Sequence, residues 1–164
     1  MDWHLAQVNI GRFLAPPDDP LIADFMAGLD PINAIADDAT GFVWRLQTED
    51  GNATSIRPDD DDALLAINMS VWTSVEALAD YVYRSDHLAF LRRRREWFAQ
   101  LATHHQALWW VPAGTLPTVR EAMAKVAHLD AHGPTPEAFT FARRFGPPGA
   151  SDERAADDRD VCSV

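Results

Sequence analysis

Two basic side chains in the middle of the chain, His87 and Arg94, have the types and spacing that best suit chemistry. At helical spacing they share one face of a predicted helix with Tyr83, Leu91 and Phe98. That face is largely apolar, so it should point inward, where an unpaired imidazole or guanidinium is costly. A histidine can move a proton or bind a metal, and an arginine can hold an anionic or enolate oxygen. We therefore predict that His87 transfers a proton and that Arg94 stabilises an oxyanion.

A structural role stays open for both side chains. His87 would also suit a core position in which its ring bonds a backbone carbonyl, and Arg94 could form a buried pair with a carboxylate. The arginines around it, 92, 93 and 95, are expected on a solvated face, where Arg92 and Glu96 are spaced as a surface ion pair.

Polar side chains also interrupt the predicted strands. Asn68 lies within an apolar run, and a buried amide must find a partner, so we predict that it orients a substrate carbonyl. Ser70 and Trp72 share its face because side chains alternate along a strand, and Gln7 and Asn9 form a similar polar line on the first strand. Tryptophan is abundant, with six residues, which suits a wall for a flat aromatic substrate, core packing or a dimer interface. The predicted substrate-binding residues are Asn9, Trp44, Ser70, Trp72, Tyr83, Trp97 and Trp110.

Several reaction classes lack their motifs in this chain. We find no HExxH, CxxC, GxGxxG, P-loop or GxSxG pattern, so zinc peptidase, nucleotide, dinucleotide and serine hydrolase chemistry are unsupported. His104 and His105 are adjacent and should point apart, while His4, His128 and His132 have no partner at a recognised ligand spacing. The four aspartates 59–62 lack the turn glycine and ligand spacing of a calcium loop. We predict no metal site.

Composition and charge disfavour several classes of binding partner and cellular location. The net charge of -11 disfavours nucleic acid and anionic membrane surfaces. No apolar run is long enough to span a bilayer, and the start of the chain does not resemble a signal peptide. The single cysteine, Cys162, excludes a disulfide framework, so a cytoplasmic location is expected.

The elements that must position these residues follow the order β-α-β-β-α-β, with a further helix and a candidate fifth strand. This order predicts an α+β, ferredoxin-like split β-α-β fold in which helices cover one face of a four- to five-stranded antiparallel sheet. The third predicted strand is apolar on both sides, so the second face also needs a cover, and a second copy of the chain would supply it as a homodimer. We predict one domain over residues 1–145 and a disordered acidic tail over 146–164. The predicted strands are 3–10, 42–48, 64–72 and 107–111, with 138–145 as a candidate fifth. The predicted helices are 20–36, with Asp19 as its cap; one that begins at the 73–76 capping box and runs to about 101 with a break near 85–86; and 118–129, with Thr118 as its cap.

Several separated motifs over about residues 3–145 resemble a bacterial family of unknown function in the dimeric α/β-barrel superfamily, which includes the antibiotic-biosynthesis monooxygenases. The resemblance implies the fold and the dimer. It names no reaction, because that superfamily holds cofactor-free oxygenases, polyketide cyclases, haem enzymes and binding modules. The motifs are Val71-Trp72 with Ser74, Glu76 and Leu78; Tyr81-Val82-Tyr83; His87; the run 92–98; the run 108–114; Pro117-Thr118 with Glu121-Ala122; and the run 133–139.

Together these observations predict a small-molecule enzyme without a tightly bound organic cofactor. Its substrate would be hydrophobic, and aromatic or polyketide-like, as in secondary metabolism. Oxygenation, cyclisation and isomerisation share the proton-abstraction step assigned to His87. Among these reactions, oxygenation is favoured only by the resemblance to the superfamily. Two alternatives stay open: a haem protein with His87 as axial ligand, and a non-catalytic ligand-binding module.

Overall fold

The computed structural model describes residues 1–150, and its centre is one antiparallel sheet in the order β2-β3-β1-β4. This order and the two β-α-β units confirm the predicted ferredoxin-like α+β fold. The elements are β1 (Trp3–Arg12), α1 (Ala23–Asp37), β2 (Phe42–Arg45), β3 (Leu65–Trp72), α2 (Val75–Arg84), α3 (His87–Arg92), β4 (Gln106–Pro112) and α4 (Val119–His132).

Side chains that cap backbone N–H groups mark the starts of the helices. Asp19 accepts from the N–H of Leu21 at a short 3-10 turn that leads into α1, and Thr118 accepts from Glu121 at the start of α4, both as predicted. The cap of α2 is Ser74, whose hydroxyl accepts from Ala77, and not Thr73, with which the predicted capping box began.

The predicted long helix carrying His87 and Arg94 is interrupted at Ser85. That residue has extended backbone angles, with φ -109° and ψ 179°. Its hydroxyl bonds the carbonyl of Tyr81 and accepts from the N–H of His87, which satisfies backbone groups left free by the break. The predicted break near 85–86 is confirmed, but the predicted continuation to residue 101 is wrong. α3 ends at Arg92 and a 3-10 turn follows, so Tyr83, His87 and Arg94 share no helix face.

The two faces of the sheet bury different clusters because side chains alternate along each strand. Leu5, Trp72 and Leu108 face α1 and α2 and form a core cluster with Ala36 and Leu78. At the other end of the same face, Phe13 and Trp97 form a second cluster with Phe25 and Phe90 from α1 and α3. The helices α1, α2 and α3 therefore all lie on one face, which we call the helix-covered face.

The opposite face is covered within the same chain. Ala6, Val8, Met69 and Val71 are at most 1% exposed, because α4 and parts of residues 46–56 pack against them. The sequence-based expectation that this face is bare, and that a second copy of the chain is needed to cover it, is therefore wrong. The homodimer itself stays a prediction.

A fifth strand does not form in the described residues. Phe139 makes an isolated pair of backbone hydrogen bonds with Leu108, at 2.8 and 2.9 Å, Ala138 makes another isolated bridge with Thr135, and residues 140–145 are bends and coil. Of the predicted disordered tail, residues 151–164 lie outside the described residues. Within residues 1–150, no helix is long and apolar enough to cross a membrane.

Candidate active site

A row of three amide side chains crosses the helix-covered face. Asn68 of β3 lies opposite Asn9 of β1, and Asn9 lies opposite Gln106 of β4. In an antiparallel sheet, side chains at paired positions point to the same face, about 5 Å apart. The next row contains Ser70, Gln7 and Leu108, and the row after that is apolar. The sheet register therefore assembles a compact polar patch, which we call the amide patch, from Gln7, Asn9, Asn68, Ser70 and Gln106.

Gln7 is hydrogen-bonded to two other members of the amide patch. Its Nε2 donates to Asn68 Oδ1 at 2.8 Å and to Ser70 Oγ at 2.9 Å. Ser70 Oγ also accepts from the indole N–H of Trp72 at 2.8 Å. Gln7, Ser70 and Trp72 are all buried, so the bonds to Ser70 form away from competing water and fix these side-chain orientations.

Asn9 Oδ1 is a buried carbonyl oxygen without a hydrogen-bond partner in the described part of the chain. Leaving such an oxygen unpaired costs about 1–3 kcal/mol, so a native protein needs a reason to keep it. The Asn9 side chain as a whole is half-buried, and the terminal torsion of asparagine is soft. A small rotation can therefore turn this oxygen toward a ligand that supplies a donor.

The helices leave an opening above the patch. Asn68 lies in the central part of the helix-covered face, yet it is exposed, whereas Ile67 and Met69, which point to the other face, are buried. The apolar clusters around Trp72 and around Phe13 flank the polar residues on either side. A mainly apolar surround with a few converging polar groups is the usual composition of a small-molecule site.

His87 lies at the edge of the cluster around Trp72. Its ring packs on Tyr81 at 4.8 Å, and Tyr81 in turn stacks on Trp72 at 5.2 Å. Nδ1 can donate to the carbonyl of Val82 at 3.4 Å, an arrangement that leaves the lone pair on Nε2. Burial lowers the pKa of His87 from its usual value, partly offset by this hydrogen bond, so the imidazole is neutral at pH 7. A neutral imidazole with a free lone pair can act as a base.

Arg94 lies at the other end of the patch. Its guanidinium packs over Phe98 at 5.8 Å, and the Phe98 ring occupies the space where a side chain on Gly11 of β1 would lie. Among residues 1–150, no carboxylate lies within salt-bridge distance of Arg94, and burial lowers its pKa. The alternative of a buried ion pair is therefore not realised among these residues. No described contact joins Arg94 to His87.

Four tryptophans and one tyrosine were predicted to line the pocket, and the structure separates them. Trp72 and Trp110 lie on the helix-covered face, but Trp72 is 0% exposed and is therefore a core residue, while the Trp110 indole donates to the carbonyl of Phe145 at 2.8 Å. Trp44 packs with the cluster on the opposite face, away from the amide patch. Trp97 is 1% exposed and is packed between Phe25 and Phe90, which makes it a core residue. Tyr83 is exposed at the end of α2 against Phe141, away from the patch.

Sequence reasoning missed two members of this region, Gln106 and Tyr81. Gln106 precedes the apolar run of β4, and only the register shows that it lies beside Asn9. Tyr81 lies at a helix position indistinguishable from ordinary core spacing. A pairing of His128 with His132 was also missed: these residues are four apart on α4 and their rings are 4.7 Å apart. In the described chain, however, no three His, Cys, Asp or Glu side chains form a group that could hold a metal.

Two open clefts elsewhere on the described surface do not include His87. The first, about 520 Å³, is lined by residues 102–105 and Asp130, which accepts from the backbone and the ring of His104 at 2.8 Å. The second, about 390 Å³, lies at His128, His132 and residues 135–137. Both clefts border α4 and neither reaches the amide patch.

Known proteins give two kinds of comparison. The chain is similar in structure to SnoaB, a cofactor-independent oxygenase from Streptomyces nogalater, with a TM-score of 0.47 and 18% identity over 70% of this chain and 98% of that one. A Chloroflexus aurantiacus protein assigned to the antibiotic biosynthesis monooxygenases gives 0.43 and 19% over 70% and 97%. A Nitrosomonas europaea protein of unknown function gives 0.42 and 13% over 71% and 96%. A search of curated protein sequences found no significant match.

A family model describes almost the whole length of the chain. The model is that of a domain of unknown function, DUF3291, and it matches residues 4–155, which include every strand and helix described above except the first residue of β1. The predicted membership of a bacterial family of unknown function is thereby confirmed: the chain belongs to the DUF3291 family.

Proposed function

We propose that this chain is a small-molecule enzyme that removes a proton from a hydrophobic, aromatic or polyketide-like substrate bound over the amide patch. The observation that carries the proposal is the unpaired, buried oxygen of Asn9 within a patch of converging amides. A hydrogen bond from a bound ligand would offset the free-energy cost of leaving that oxygen unpaired. A purely structural core would be more stable with an apolar residue at this position.

In this proposal, each residue around the patch has a separate role that follows from its position. Asn68 and Ser70 hold an oxygen of the substrate by hydrogen bonds, and Trp72, which is buried against Tyr81, orients the Ser70 hydroxyl through its indole N–H. His87 accepts the proton through Nε2, since its neutral form prevails at pH 7. Arg94 is a candidate for binding an anionic group or the enolate oxygen that forms when the proton leaves. A cofactor-independent oxygenase, a cyclase and an isomerase all share this first step.

Solvent-deuterium exchange tests the proposal without knowledge of the natural substrate. The probe is 2-tetralone, an aromatic ketone whose protons next to the carbonyl are weakly acidic, in D₂O without oxygen. We expect the protein to accelerate loss of the α-proton signal in the NMR spectrum, and we expect His87→Gln to abolish the acceleration. His132→Gln, which changes an exposed histidine on α4, is the matched control and should leave the rate unchanged.

The outcomes separate the alternatives. Exchange that is no faster with the protein, or that survives His87→Gln, contradicts the enzymatic proposal. Binding of 2-tetralone without exchange would favour the non-catalytic ligand-binding module. The haem alternative predicts a Soret band in the purified protein that His87→Ala removes.

Two wider expectations belong to the same proposal. We expect a homodimer in solution, which sedimentation velocity would detect as twice the chain mass of 18.2 kDa. We also expect a cytoplasmic location and a role in secondary metabolism, for which a neighbouring biosynthetic gene cluster would be the supporting observation.

A further inference from the structure

The amide group of Gln7 fixes the direction of the hydrogen bonds in the patch. An amide nitrogen carries two hydrogens, and both are in use, one toward Asn68 Oδ1 and one toward Ser70 Oγ. Since a donor can only be met by an acceptor, Asn68 must present its oxygen, and Ser70 a lone pair, to the buried side of the patch.

The groups left for a ligand follow from this assignment. With its oxygen held by Gln7, Asn68 turns its NH₂ group away, and this side chain is exposed. Ser70 Oγ accepts twice, from Gln7 and from the Trp72 indole, so its lone pairs are used and only its hydrogen remains to be donated. On the neighbouring strand, Asn9 Oδ1 is an acceptor without a donor. The patch therefore offers donors on β3 and an acceptor on β1.

We infer that the site selects planar ligands that carry an acceptor oxygen and, about one strand spacing away, a hydroxyl or N–H donor, and that Gln7 is the positioning residue that sets this polarity. Oxygens in para positions of a six-membered ring are separated by roughly the 5 Å between neighbouring strands. A ring with a keto or ether oxygen at one position and a hydroxyl opposite it meets both requirements. This inference rests on the proposed function and adds the substrate class to it.

Three naphthalenes with one skeleton test the inference by isothermal titration calorimetry. The first, 4-methoxy-1-naphthol, has both an acceptor and a donor; 1,4-dimethoxynaphthalene lacks the donor; 1-naphthol lacks the second oxygen. We expect 4-methoxy-1-naphthol to bind about tenfold more tightly than 1,4-dimethoxynaphthalene, the effect of one hydrogen bond to a buried, otherwise unpaired acceptor. Asn9→Leu should remove that preference.

Gln7→Glu reverses the internal hydrogen bonds. A carboxylate has no N–H, so the Asn68 amide and the Ser70 hydroxyl would turn their hydrogens toward it and away from the ligand. We expect the affinity for 4-methoxy-1-naphthol to fall about tenfold, to that of 1-naphthol, while the affinity for 1-naphthol is unchanged. A merely structural role for Gln7 would weaken the binding of both compounds. Gln100→Glu, the same change at an exposed position, is the control for added charge.

If Gln7→Glu does not fold, Ser70→Ala removes one donor without adding charge and should give the same selective loss. Equal binding of 4-methoxy-1-naphthol and 1,4-dimethoxynaphthalene to the native protein overturns the inference alone. Equal losses for 4-methoxy-1-naphthol and 1-naphthol in the variants also overturn it. If none of the three compounds binds, the proposed pocket for aromatic ligands fails, and the inference fails with it.

Discussion

Replacing Asn9 by leucine should make the free protein more stable, although it removes a polar side chain from the centre of a sheet. The reason is that Asn9 Oδ1 is buried and receives no hydrogen bond among the described residues. Leucine has nearly the same shape, lacks the unpaired oxygen, and would lie on a face where the neighbouring clusters are apolar. A residue kept for ligand binding, at a cost in stability, should behave in this way.

The expected size follows from the cost of an unpaired buried carbonyl, about 1–3 kcal/mol. Part of that gain is lost because the Asn9 side chain is only half-buried. We therefore expect the free energy of unfolding to rise by about 1 kcal/mol in Asn9→Leu, which raises the melting temperature by about 2–4 °C in a domain of this size.

The same substitution at the neighbouring position should have the opposite effect. Asn68→Leu deprives Gln7 of one of its two acceptors and leaves a buried N–H unpaired, at a cost of about 1–3 kcal/mol. Urea denaturation followed by tryptophan fluorescence measures both variants against the native chain under identical conditions. A destabilised Asn9→Leu, or a gain of the same size in both variants, would refute the assignment of Asn9 as the unpaired member of the patch.

Three further predictions concern the surroundings of the patch. Trp72→Phe removes the indole N–H that bonds Ser70 Oγ, and should lower the free energy of unfolding by about 1 kcal/mol or more in thermal denaturation. Gly28→Ala, normally favourable within a helix, should instead destabilise by about 1–3 kcal/mol in the same assay, since a Cβ would lie 2.3 Å from the Phe90 ring. The pKa of His87 is lowered on folding, so its contribution to stability is present above the unfolded value of about 6.5 and is lost as the pH falls through the folded value. Urea denaturation at a series of pH values should show that His87→Gln weakens this acid sensitivity, and an unchanged pH profile would argue against a buried, neutral His87.

The fold could be predicted because local signals and topology agree. The alternation in β1 and β3, the capping residues Asp19 and Thr118, and the element order each specify the ferredoxin-like arrangement. The break at Ser85 was predicted, and the error lies after it: the apolar spacing continues past Arg92, but α3 ends at that residue and a 3-10 turn over Arg94–Glu96 follows. Periodicity alone does not detect this helix end, which is why Arg94 was expected on one helix face with His87.

The candidate site was predictable only in part, because its main members meet through strand register. Strand alternation correctly placed Asn68, Ser70 and Trp72 on one face. Their alignment with Asn9 and Gln106 depends on how β1 pairs with both of its neighbours, which no sequence pattern specifies. Trp44 was predicted to bind substrate, yet it lies on the face opposite the patch, because β2 has a register shift between Phe42 and Trp44 that the sequence pattern does not specify.

Side-chain NMR during a titration with 4-methoxy-1-naphthol most directly tests the central claim that a small molecule binds over the amide patch. In a ¹⁵N-labelled protein, the side-chain NH₂ signals of Gln7, Asn9 and Asn68 and the indole N–H of Trp72 report on that surface individually. We predict that these signals shift together and saturate with one binding constant, while the signals of the cleft at residues 102–105 stay in place. Shifts confined to that cleft, or no shift in the amide signals at saturation, would contradict the account.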